Sequence, residues 1–533
     1  MILLKNGTIF DGSINKEYIG SVLIEKDKIK KIYKQTESCP ISEEIKVIDC
    51  LGKMITPGFI DAHSHNDFFA LKKDNLFYYE PFVKQGVSTM VTGNCGFSAA
   101  GYSSDSPYND QIGGGLFSND GNDYSDFAKW GKLVDKNLPV NLLSLVGHGT
   151  LRIGLNGKTS NSLSEDQMVQ MEEILEKSLE SGAAGLSLGL MYEPGQFVPF
   201  EELERLTKIV KKHNKILTVH ARAYSKVSTS YNPPIGGRAH NLRAMDEVVK
   251  LVKNTGVKTE YSHLIFVGKS SWGTVKESLN ILEQTKTEGF DIGFDTYPME
   301  FGASVITVVL PTWYLSMEKS KRFSWFIKLR LAIEIFMAIK ALGFGFKDIL
   351  ISNTFGQMKE IEGKRIDEIA KLWKKSKLKT YLEIIEKTDA RVNVLMYQYQ
   401  NKEIIETLRT HPQSLYMSDA WMEKEASVQN FACYYAFVKF LLLAKNNNTS
   451  ISEAIHKMTK ATADRFQISK RGFIAEGYFA DINVIDPNHL SYEENQCINP
   501  QGIDYVIING KIVIEKNQIN KNDIFHSGRF ISI

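Results

Sequence analysis

The sequence has few cysteines and little net charge. Its 533 residues include five cysteines, an odd number, and they are scattered along the chain at Cys39, Cys50, Cys95, Cys433 and Cys497. That distribution argues against a disulfide framework. The formal net charge is only +2, which gives no reason to expect nucleic acid or an anionic membrane as a partner.

Long apolar runs are also missing. Only Ile2, Leu3 and Leu4 form an apolar run before Lys5, which is too short for a secretory signal. No uninterrupted apolar run elsewhere reaches the length that spans a membrane. Together with the scattered cysteines, these absences predict a cytoplasmic protein without a transmembrane segment.

What is present is typical of a folded globular protein. The chain is 43% apolar and 24% charged, close to the average for such proteins. Its length suggests about three domains, although one barrel can itself run to about 250 residues or more.

The two ends of the chain carry the same β-rich pattern. ILLKNGTIF, SVLIEKDKIKKIY and KVIDCLGKMI at the start, and ADINVID and DYVIINGKIVIEKN at the end, fit short strands separated by turns. We therefore predict one small β domain built from residues 1–56 and 466–533. Two unrelated β tails are the alternative.

Between them, residues 57–465 alternate apolar runs with helical segments. GFIDA, VSTMVTG, VNLLSLVG, AAGLSLGL, KILTVHA, VKTEYSHL, FDIGFDTYP, RVNVLMYQ and SLYMSDA are mostly too continuously apolar for half-exposed strands. The sequence from Ser164 to Gln167 predicts a capping box at the start of a helix. This alternation predicts an α/β fold, a (β/α)8 barrel. The nine runs exceed the eight strands of such a barrel by one, so one run is an insertion or not a barrel strand.

An insertion is predicted around residues 311–390. Within it, residues 322–342 are apolar and basic at roughly helical spacing. A helix packed against the barrel is the preferred interpretation, and a helix lying on a membrane surface or a lid are the alternatives.

Six side chains of metal-binding type lie where predicted strands end. His63 and His65 are two residues apart, so in an extended chain they share one face. Active-site groups of such barrels lie at the carboxyl ends of the strands, and imidazole, thiolate and carboxylate are all zinc ligands. Each histidine alone has another explanation, a structural hydrogen bond. Their shared placement predicts a metal site formed by His63, His65, Cys95, His220, His263 and Asp419.

Several motifs resemble a known family in order and spacing. They are PGFIDAHSHND, GNCG, VGHGTLR, ESGAAGLSLGLMYEPG, VHAR, YSHL, FDTYP, MSDAW and RGFIAEGYFADINVIDP. Along nearly its whole length the chain resembles the N-acyl-D-amino-acid deacylases (D-aminoacylases) of the amidohydrolase superfamily. The resemblance implies a barrel with a small β-sandwich formed by both termini. It also implies a tight zinc ion at Cys95, His220 and His263, and a weaker second position near His63, His65 and Asp419.

The implied chemistry is amide hydrolysis. A bound zinc ion lowers the pKa of water from about 16 to about 7, and Asp419 is placed to take up and return a proton. Asp419 acting only as a ligand is compatible with the same position. The metal or His148, in the sequence GHG, is expected to stabilise the oxyanion; for His148 a structural hydrogen bond to the backbone is the alternative.

The resemblance to the family is weaker at the residues expected to contact the substrate. Tyr192, Arg222 and Tyr297 match positions that shape the family's pocket, although each aromatic also suits simple packing. Ile265 stands where family members commonly carry a lysine, Ala420 replaces the usual glycine, and ASVQNFACYYAFVKF replaces a basic segment. Burying a carboxylate without a cation or donors is unfavourable. We therefore predict a small-molecule substrate bulkier or less anionic than a simple N-acetyl-D-amino acid.

Two other functions remain open at this point. A cyclic amide hydrolase of hydantoinase or dihydroorotase type shares barrel and ligands, but Cys95 in place of a modified lysine favours linear amides. A barrel kept as a binding scaffold without activity is the second, and retention of all six ligand-type residues argues against it.

Overall fold

The computed structural model describes residues 1–533 except 41, 114–116, 118–121, 136, 229, 232–236, 316, 318–321 and 323. The strands of this part are β1 (Ile2–Ile9), β2 (Tyr18–Glu25), β3 (Lys28–Lys34), β4 (Lys46–Asp49), β5 (Met54–Pro57), β6 (Phe59–Asp61), β7 (Val87–Thr92), β8 (Asn141–Ser144), β9 (Val146–Gly147), β10 (Gly185–Gly189), β11 (Ile216–His220), β12 (Lys258–Tyr261), β13 (Ile292–Thr296), β14 (Phe301–Val305), β15 (Ile349–Asn353), β16 (Asn393–Tyr397), β17 (Ser414–Tyr416), β18 (Ile482–Ile485), β19 (Ile503–Ile508), β20 (Lys511–Glu515) and β21 (Gln518–Ile519).

The helices lie mainly between these strands. They are α1 (Asn75–Lys84), α2 (Phe127–Val134), α3 (His148–Asn156), α4 (Glu165–Glu180), α5 (Phe200–Lys212), α6 (His240–Thr255), α7 (Val275–Thr287), α8 (Thr312–Leu315), α9 (Trp325–Leu342), α10 (Ile366–Leu372), α11 (Lys377–Lys387), α12 (Lys402–Thr410), α13 (Ala432–Asn446), α14 (Ile451–Lys457) and α15 (Lys460–Arg465).

Strands from both ends of the chain share one sheet. Its order is β21-β20-β19-β18-β5-β1-β2-β3, with β4 beside β1. The two ends meet where β18 pairs antiparallel with β5, Ile482 opposite Pro57. Side chains from the first and last segments, including Leu4, Ile9 and Val484, fill one buried apolar cluster. The termini therefore fold together, because each end supplies apolar surface that the other covers.

The middle of the chain forms parallel strands. β6, β7 and β8 pair in that order, and β9, β10, β11, β12, β13 and β17 form the next sheet. Every one of these pairs is parallel, and only Leu145 separates β8 from β9. The Ala62 amide donates to the Tyr416 carbonyl at 3.4 Å, which joins the last strand to the first. The runs are apolar because both of their faces are buried.

The ninth apolar run, RVNVLMYQ, belongs elsewhere. It contains β16, which pairs antiparallel with both β14 and β15 in a separate three-stranded sheet. β15 lies within the predicted insertion, and β14 and β16 lie on either side of it. A short apolar run does not reveal its pairing partner, which explains the surplus strand in the sequence-based count.

The start of α4 agrees with the prediction from its capping residues. The Ser164 side chain accepts from the Gln167 amide, and the Gln167 side chain accepts from the Ser164 amide, so α4 begins with the predicted capping box.

The apolar basic segment of the insertion forms α9. Leu331 and Ile335 are buried in the main core, whereas most of the helix's large apolar side chains are exposed. The helix is therefore packed through a narrow face only.

All five cysteines lie within the described residues, and none of them forms a disulfide. No helix in the described ranges combines the length and the apolar character that crossing a membrane requires. The cytoplasmic location stays a prediction.

Candidate metal centre

Each of the six predicted ligands lies at or just beyond the carboxyl end of a parallel strand. His220 is the last residue of β11, and the others follow the ends of β6, β7, β12 and β17. Because parallel strands end at a common edge, residues far apart in sequence meet there. The six are His63, His65, Cys95, His220, His263 and Asp419.

Four of them converge closely. The Cys95 Sγ atom lies 3.2 Å from His63 Nε2 and 3.4 Å from His263 Nε2. Asp419 Oδ1 lies 3.6 Å from His63 Nε2 and 3.5 Å from His65 Nε2. One ligand atom from each of His63, Cys95, His263 and Asp419 lies within 4.8 Å of the others. This is the separation expected of atoms that surround a common ion.

His220 lies beside this group, next to His263. Its ring centroid lies 4.4 Å from that of His263. Neither ring nitrogen of His220 has a hydrogen-bond partner among the described residues, although both are buried. Leaving buried polar atoms unsatisfied is costly. A metal ion would satisfy such a nitrogen, so the donor set and its unsatisfied atoms fit a zinc-type ion.

The backbone at the site is held in unusual conformations. Cys95, His263 and Asp419 have φ values of +53°, +33° and +49°, in a region that costs non-glycine residues about 1–2 kcal/mol. Such strain concentrates at functional sites. Gly93 makes the turn before Cys95 possible, because a Cβ atom there would lie 2.2 Å from the Leu145 carbonyl oxygen.

Two buried aspartates contact the candidate ligands. Asp295 Oδ2 lies 3.4 Å from His63 Nδ1, and Asp295 Oδ1 accepts from the His263 amide. Asp61 accepts from the amides of His63 and Ser418 at 3.2 and 3.0 Å, which ties the end of β6 to the end of β17. A carboxylate on the far nitrogen of a histidine fixes the ring's orientation and tautomer.

The protonation states suit metal binding. Burial lowers the pKa of His63 to about 3 and that of His263 to about 4, so both imidazoles are neutral at pH 7. Burial by itself would raise the pKa of Asp419, but the imidazoles of His263, His65 and His63 outweigh it and hold that pKa below its usual range. Burial raises the pKa of the Cys95 thiol, so a cation that binds the sulfur must displace a proton.

His148 is paired with a carboxylate outside this group. Its Nε2 atom is 2.8 Å from Glu202 Oε1, and Glu202 also pairs with Arg152. All three side chains are buried. This contact supports a structural role, with a carboxylate as partner rather than the backbone group expected from the sequence; the oxyanion role of His148 stays a prediction.

The three predicted substrate residues differ in their surroundings. The Tyr192 ring lies 4.5 Å from the His220 ring. The Tyr297 hydroxyl is buried and has no hydrogen-bond partner among the described residues. Arg222 binds the Glu247 carboxylate through Nε at 3.0 Å and Nη2 at 2.9 Å, and donates to the Gln196 carbonyl. Its donors are thus engaged by the protein itself.

The sequence did not single out several side chains around the site. The Tyr224 ring packs 4.9 Å from the His220 ring, and its hydroxyl donates to the Ser262 carbonyl. Phe117 and Trp421 lie 5.2 and 5.4 Å from the His65 ring, and Phe68 stacks on Phe117 at 4.6 Å. We call Phe68, Phe117 and Trp421 the aromatic wall. Only proximity in the fold reveals it, since an aromatic in a loop has no distinctive spacing.

The fold and the site thus define an α/β protein with a histidine, cysteine and carboxylate group at the carboxyl ends of parallel strands. The amidohydrolase family matches residues 46–263 and 416–514, which is more than half of the chain. The chain belongs to the amidohydrolase family, and the resemblance stated from its motifs is confirmed. Residues 264–415 lie between the two matched stretches.

Two relatives are similar in sequence to this chain over long stretches. A D-aminoacylase of Alcaligenes xylosoxydans xylosoxydans is 24% identical over 539 residues, covering 100% of this chain and 97% of the relative. An N-acyl-D-glutamate deacylase of the same organism is 28% identical over 308 residues, 58% of each chain.

Solved structures share the fold. An N-acyl-D-glutamate deacylase of Bordetella bronchiseptica, complexed with zinc and a phosphonate mimic of the tetrahedral intermediate, has a TM-score of 0.81 at 22% identity, covering 100% of this chain and 99% of that one. A D-aminoacylase has a TM-score of 0.78 at 24% identity with the same coverage, and its centre is described as binuclear, with one-metal activation and second-metal attenuation. A D-hydantoinase of a Thermus species reaches 0.55 at 14% identity, covering 100% of this chain and 99% of that one.

Proposed function

We propose that this protein is a zinc-dependent amidohydrolase that cleaves a linear N-acyl amide, an N-acyl-D-amino acid or a related small molecule. One observation carries the proposal: the convergence of Cys95 Sγ with the Nε2 atoms of His63 and His263, beside Asp419. Two of the relatives named above are a D-aminoacylase and an N-acyl-D-glutamate deacylase, and membership of the amidohydrolase family supports the same reaction class for this chain.

The proposed architecture is a (β/α)8 barrel over residues 57–465, with the insertion around 311–390. The parallel pairings from β6 to β17 and the Ala62–Tyr416 hydrogen bond support closure of the barrel. Residues 1–56 and 466–533 are proposed to form a small β-sandwich, supported by their shared sheet and buried cluster.

Cys95, His220 and His263 are proposed to hold the tighter zinc ion. His63, His65 and Asp419 are proposed to surround a second, weaker position. The donor types support this assignment, as do the unsatisfied nitrogens of His220. When bound, such an ion lowers the pKa of water and polarises an amide carbonyl.

Asp419 is the proposed general base and acid. Its carboxylate is ionised because its pKa lies below the usual range, so it can accept a proton from the attacking water. As the water oxygen bonds to the acyl carbon and the C–N bond breaks, the same carboxyl returns the proton to the leaving nitrogen. Ser418, held by Asp61, fixes the backbone immediately before Asp419.

Asp295 acts through the ligands rather than on the substrate. Its contact to the His63 ring orients that imidazole, and its contact to the His263 amide fixes the backbone that carries the second imidazole. The predicted roles of Tyr192 and Tyr297 are kept as lining of the substrate pocket, since Tyr192 borders the His220 ring. Arg222 is proposed to brace the wall of the pocket through Glu247 instead of binding a substrate carboxylate.

The substrate is proposed to carry an apolar group against the aromatic wall. Phe117 and Trp421 flank His65, and buried Ile265 replaces the lysine expected of the family. An apolar acyl chain or side chain gains from burial there, whereas a carboxylate there lacks the cation that would offset its desolvation.

A substrate screen tests the proposal. Zinc-loaded protein is assayed against N-acyl-D-amino acids, N-acyl-L-amino acids and cyclic amides. Hydrolysis of linear N-acyl-D compounds is the expected result. Ring opening without hydrolysis of linear amides would identify a cyclic amide hydrolase instead, and a metal-free protein without any activity would identify a binding scaffold.

Acyl chain length gives a sharper prediction within that screen. The value of kcat/KM for N-octanoyl-D-methionine is expected to exceed that for N-acetyl-D-methionine by about tenfold or more, because each buried methylene adds to binding. The variant Trp421→Ala is expected to reduce this ratio, while Trp373→Ala, in the insertion, leaves it unchanged. Rapid turnover of the acetyl compound without a preference for length would contradict the predicted pocket.

A further inference from the structure

The outward face of α9 is more apolar than is usual for a helix face exposed to solvent. Six of its large apolar side chains are between 45% and 75% exposed. They recur at spacings of three, four and seven residues, so they form one continuous face. The six are Trp325, Phe326, Leu329, Ile333, Phe336 and Met337. An exposed apolar patch of this kind marks an interaction site.

The opposite face anchors the helix to the protein. Leu331 and Ile335 are buried in the main core. Glu334 accepts from Trp313 Nε1 at 2.6 Å, and the Arg330 guanidinium lies 4.0 Å from the Trp313 ring centroid. The exposed face is therefore held in place by contacts on the inner side.

Charge distinguishes between the kinds of partner that suit this face. The helix carries three cations, Lys328, Arg330 and Lys340, against one carboxylate, Glu334, a net charge of +2. Glu334 is also engaged by Arg330 Nε at 2.8 Å. Lys328 lies seven residues before the buried Ile335, on the inner side of the helix, so the exposed apolar face takes its positive charge from Lys340. That cation complements an anionic surface.

The position of Lys340 favours a bilayer over a second protein surface. It is exposed and lies four residues after Phe336 and seven after Ile333, within the apolar face. Lysine is depleted from the cores of protein interfaces. At a bilayer, its long stem lies along the apolar layer while the ammonium group reaches the headgroups. Exposed tryptophan and phenylalanine are equally typical of helices that lie in the bilayer interface.

The helix also lies on the same side of the molecule as the metal centre. Ser270 Oγ donates to the carbonyl of Leu342, the last residue of α9, at 3.2 Å. A Cβ atom on Gly268 would lie 2.2 Å from that carbonyl oxygen. Residues 268–270 lie in the connection that follows His263 and the carboxyl end of β12, so the end of α9 contacts a connection that begins at the edge of the candidate metal centre.

We propose that the exposed face of α9 binds the surface of an anionic phospholipid bilayer, with the helix lying in the plane of the interface. The helix is about 27 Å long and is not among helices able to cross a membrane within the described ranges. This inference is independent of the proposed hydrolase activity, since binding is measured without a substrate.

Co-sedimentation of the full-length protein with vesicles tests the inference. One set of vesicles contains phosphatidylcholine and phosphatidylglycerol, and the other contains phosphatidylcholine alone. Binding to the anionic vesicles is expected, and high salt is expected to weaken it. The triple variant Trp325→Ser/Phe326→Ser/Phe336→Ser is expected to reduce the partition coefficient by roughly tenfold or more.

A matched control removes apolar surface elsewhere. Ile14, Leu51 and Leu372 are 68%, 74% and 64% exposed, and their replacement by serine is expected to leave vesicle binding unchanged. The single variant Lys340→Glu, which keeps the apolar face, is expected to weaken binding to anionic vesicles only. If circular dichroism shows that the triple variant does not fold, Lys340→Glu still tests the inference.

Three results would overturn the inference. One is a wild-type protein that does not bind anionic vesicles. Another is vesicle binding that neither the triple variant nor Lys340→Glu reduces. The third is a wild-type dimer, by sedimentation velocity, that the triple variant converts to a monomer while vesicles remain unbound; the face would then be an interface between two copies of the chain.

Discussion

Replacing Asp419 by asparagine is expected to lower kcat by about 10³-fold. General acid–base catalysis contributes about 10²–10⁴-fold, and the amide of asparagine neither accepts the proton from water nor returns it to the leaving nitrogen. The side chain is nearly isosteric, so the fold is expected to persist. Steady-state kinetics on the best N-acyl-D substrate, with metal content by elemental analysis, measures the effect.

The metal content separates the two roles of Asp419. Lost turnover with the metal retained assigns Asp419 to proton transfer, whereas loss of metal together with turnover assigns it to the ligand set. The control is Asp348→Asn, which changes a buried carboxylate bonded to the Gly345 amide in the insertion and is expected to leave kcat unchanged. Near wild-type turnover by Asp419→Asn would contradict the proposed mechanism.

Replacing Cys95 by serine is expected to abolish tight metal binding and, with it, activity. The Cys95 sulfur is the atom that approaches both His63 Nε2 and His263 Nε2. A serine hydroxyl is a much poorer zinc ligand than a thiolate. Because changes to outer-sphere groups already cost about 10–100-fold in affinity, removal of a direct ligand is expected to cost at least about 100-fold. Competition with a zinc chelator measures the affinity.

Cys50→Ser is the matched control for this prediction. Cys50 is buried in the terminal sheet, where its Sγ atom donates to the Ile48 carbonyl. The variant therefore changes a buried thiol without touching the candidate ligands, and unchanged zinc affinity is expected. If Cys95→Ser binds zinc as tightly as Cys50→Ser does, the assignment of Cys95 as a ligand is wrong.

The convergence of the candidate ligands was predictable because strand ends leave a local signature. Apolar runs followed at once by His63, Cys95, His263 or Asp419 indicate both a buried strand and the edge at which its functional residue lies. The pairing of those strands was not needed to foresee that the residues meet.

Other features depend on contacts that sequence spacing does not show. His148 pairs with Glu202, 54 residues away, so its partner was not foreseeable from the GHG motif. Asp295 lies in the quoted motif FDTYP, yet its link to the His63 ring joins positions 232 residues apart. The run containing β16 has the composition of a barrel strand but pairs antiparallel with β14 and β15, because pairing partners, not composition, decide which sheet a strand joins.

The sequence predicted the helix α9 but not which of its faces is buried. Its helical spacing predicted the helix, but its apolar composition favoured burial. Only Leu331 and Ile335 are fully covered, while Phe326 remains 75% exposed. A helix that is apolar on nearly all sides does not reveal from its sequence which face the protein covers.

X-ray absorption at the zinc edge on the zinc-loaded protein tests directly whether Cys95 binds the zinc ion. We predict one sulfur neighbour at about 2.3 Å together with nitrogen or oxygen neighbours at about 2.0–2.1 Å, and loss of the sulfur neighbour in Cys95→Ser. A spectrum of the wild-type protein with nitrogen and oxygen neighbours only, or a protein that retains no zinc after dialysis, would contradict this prediction.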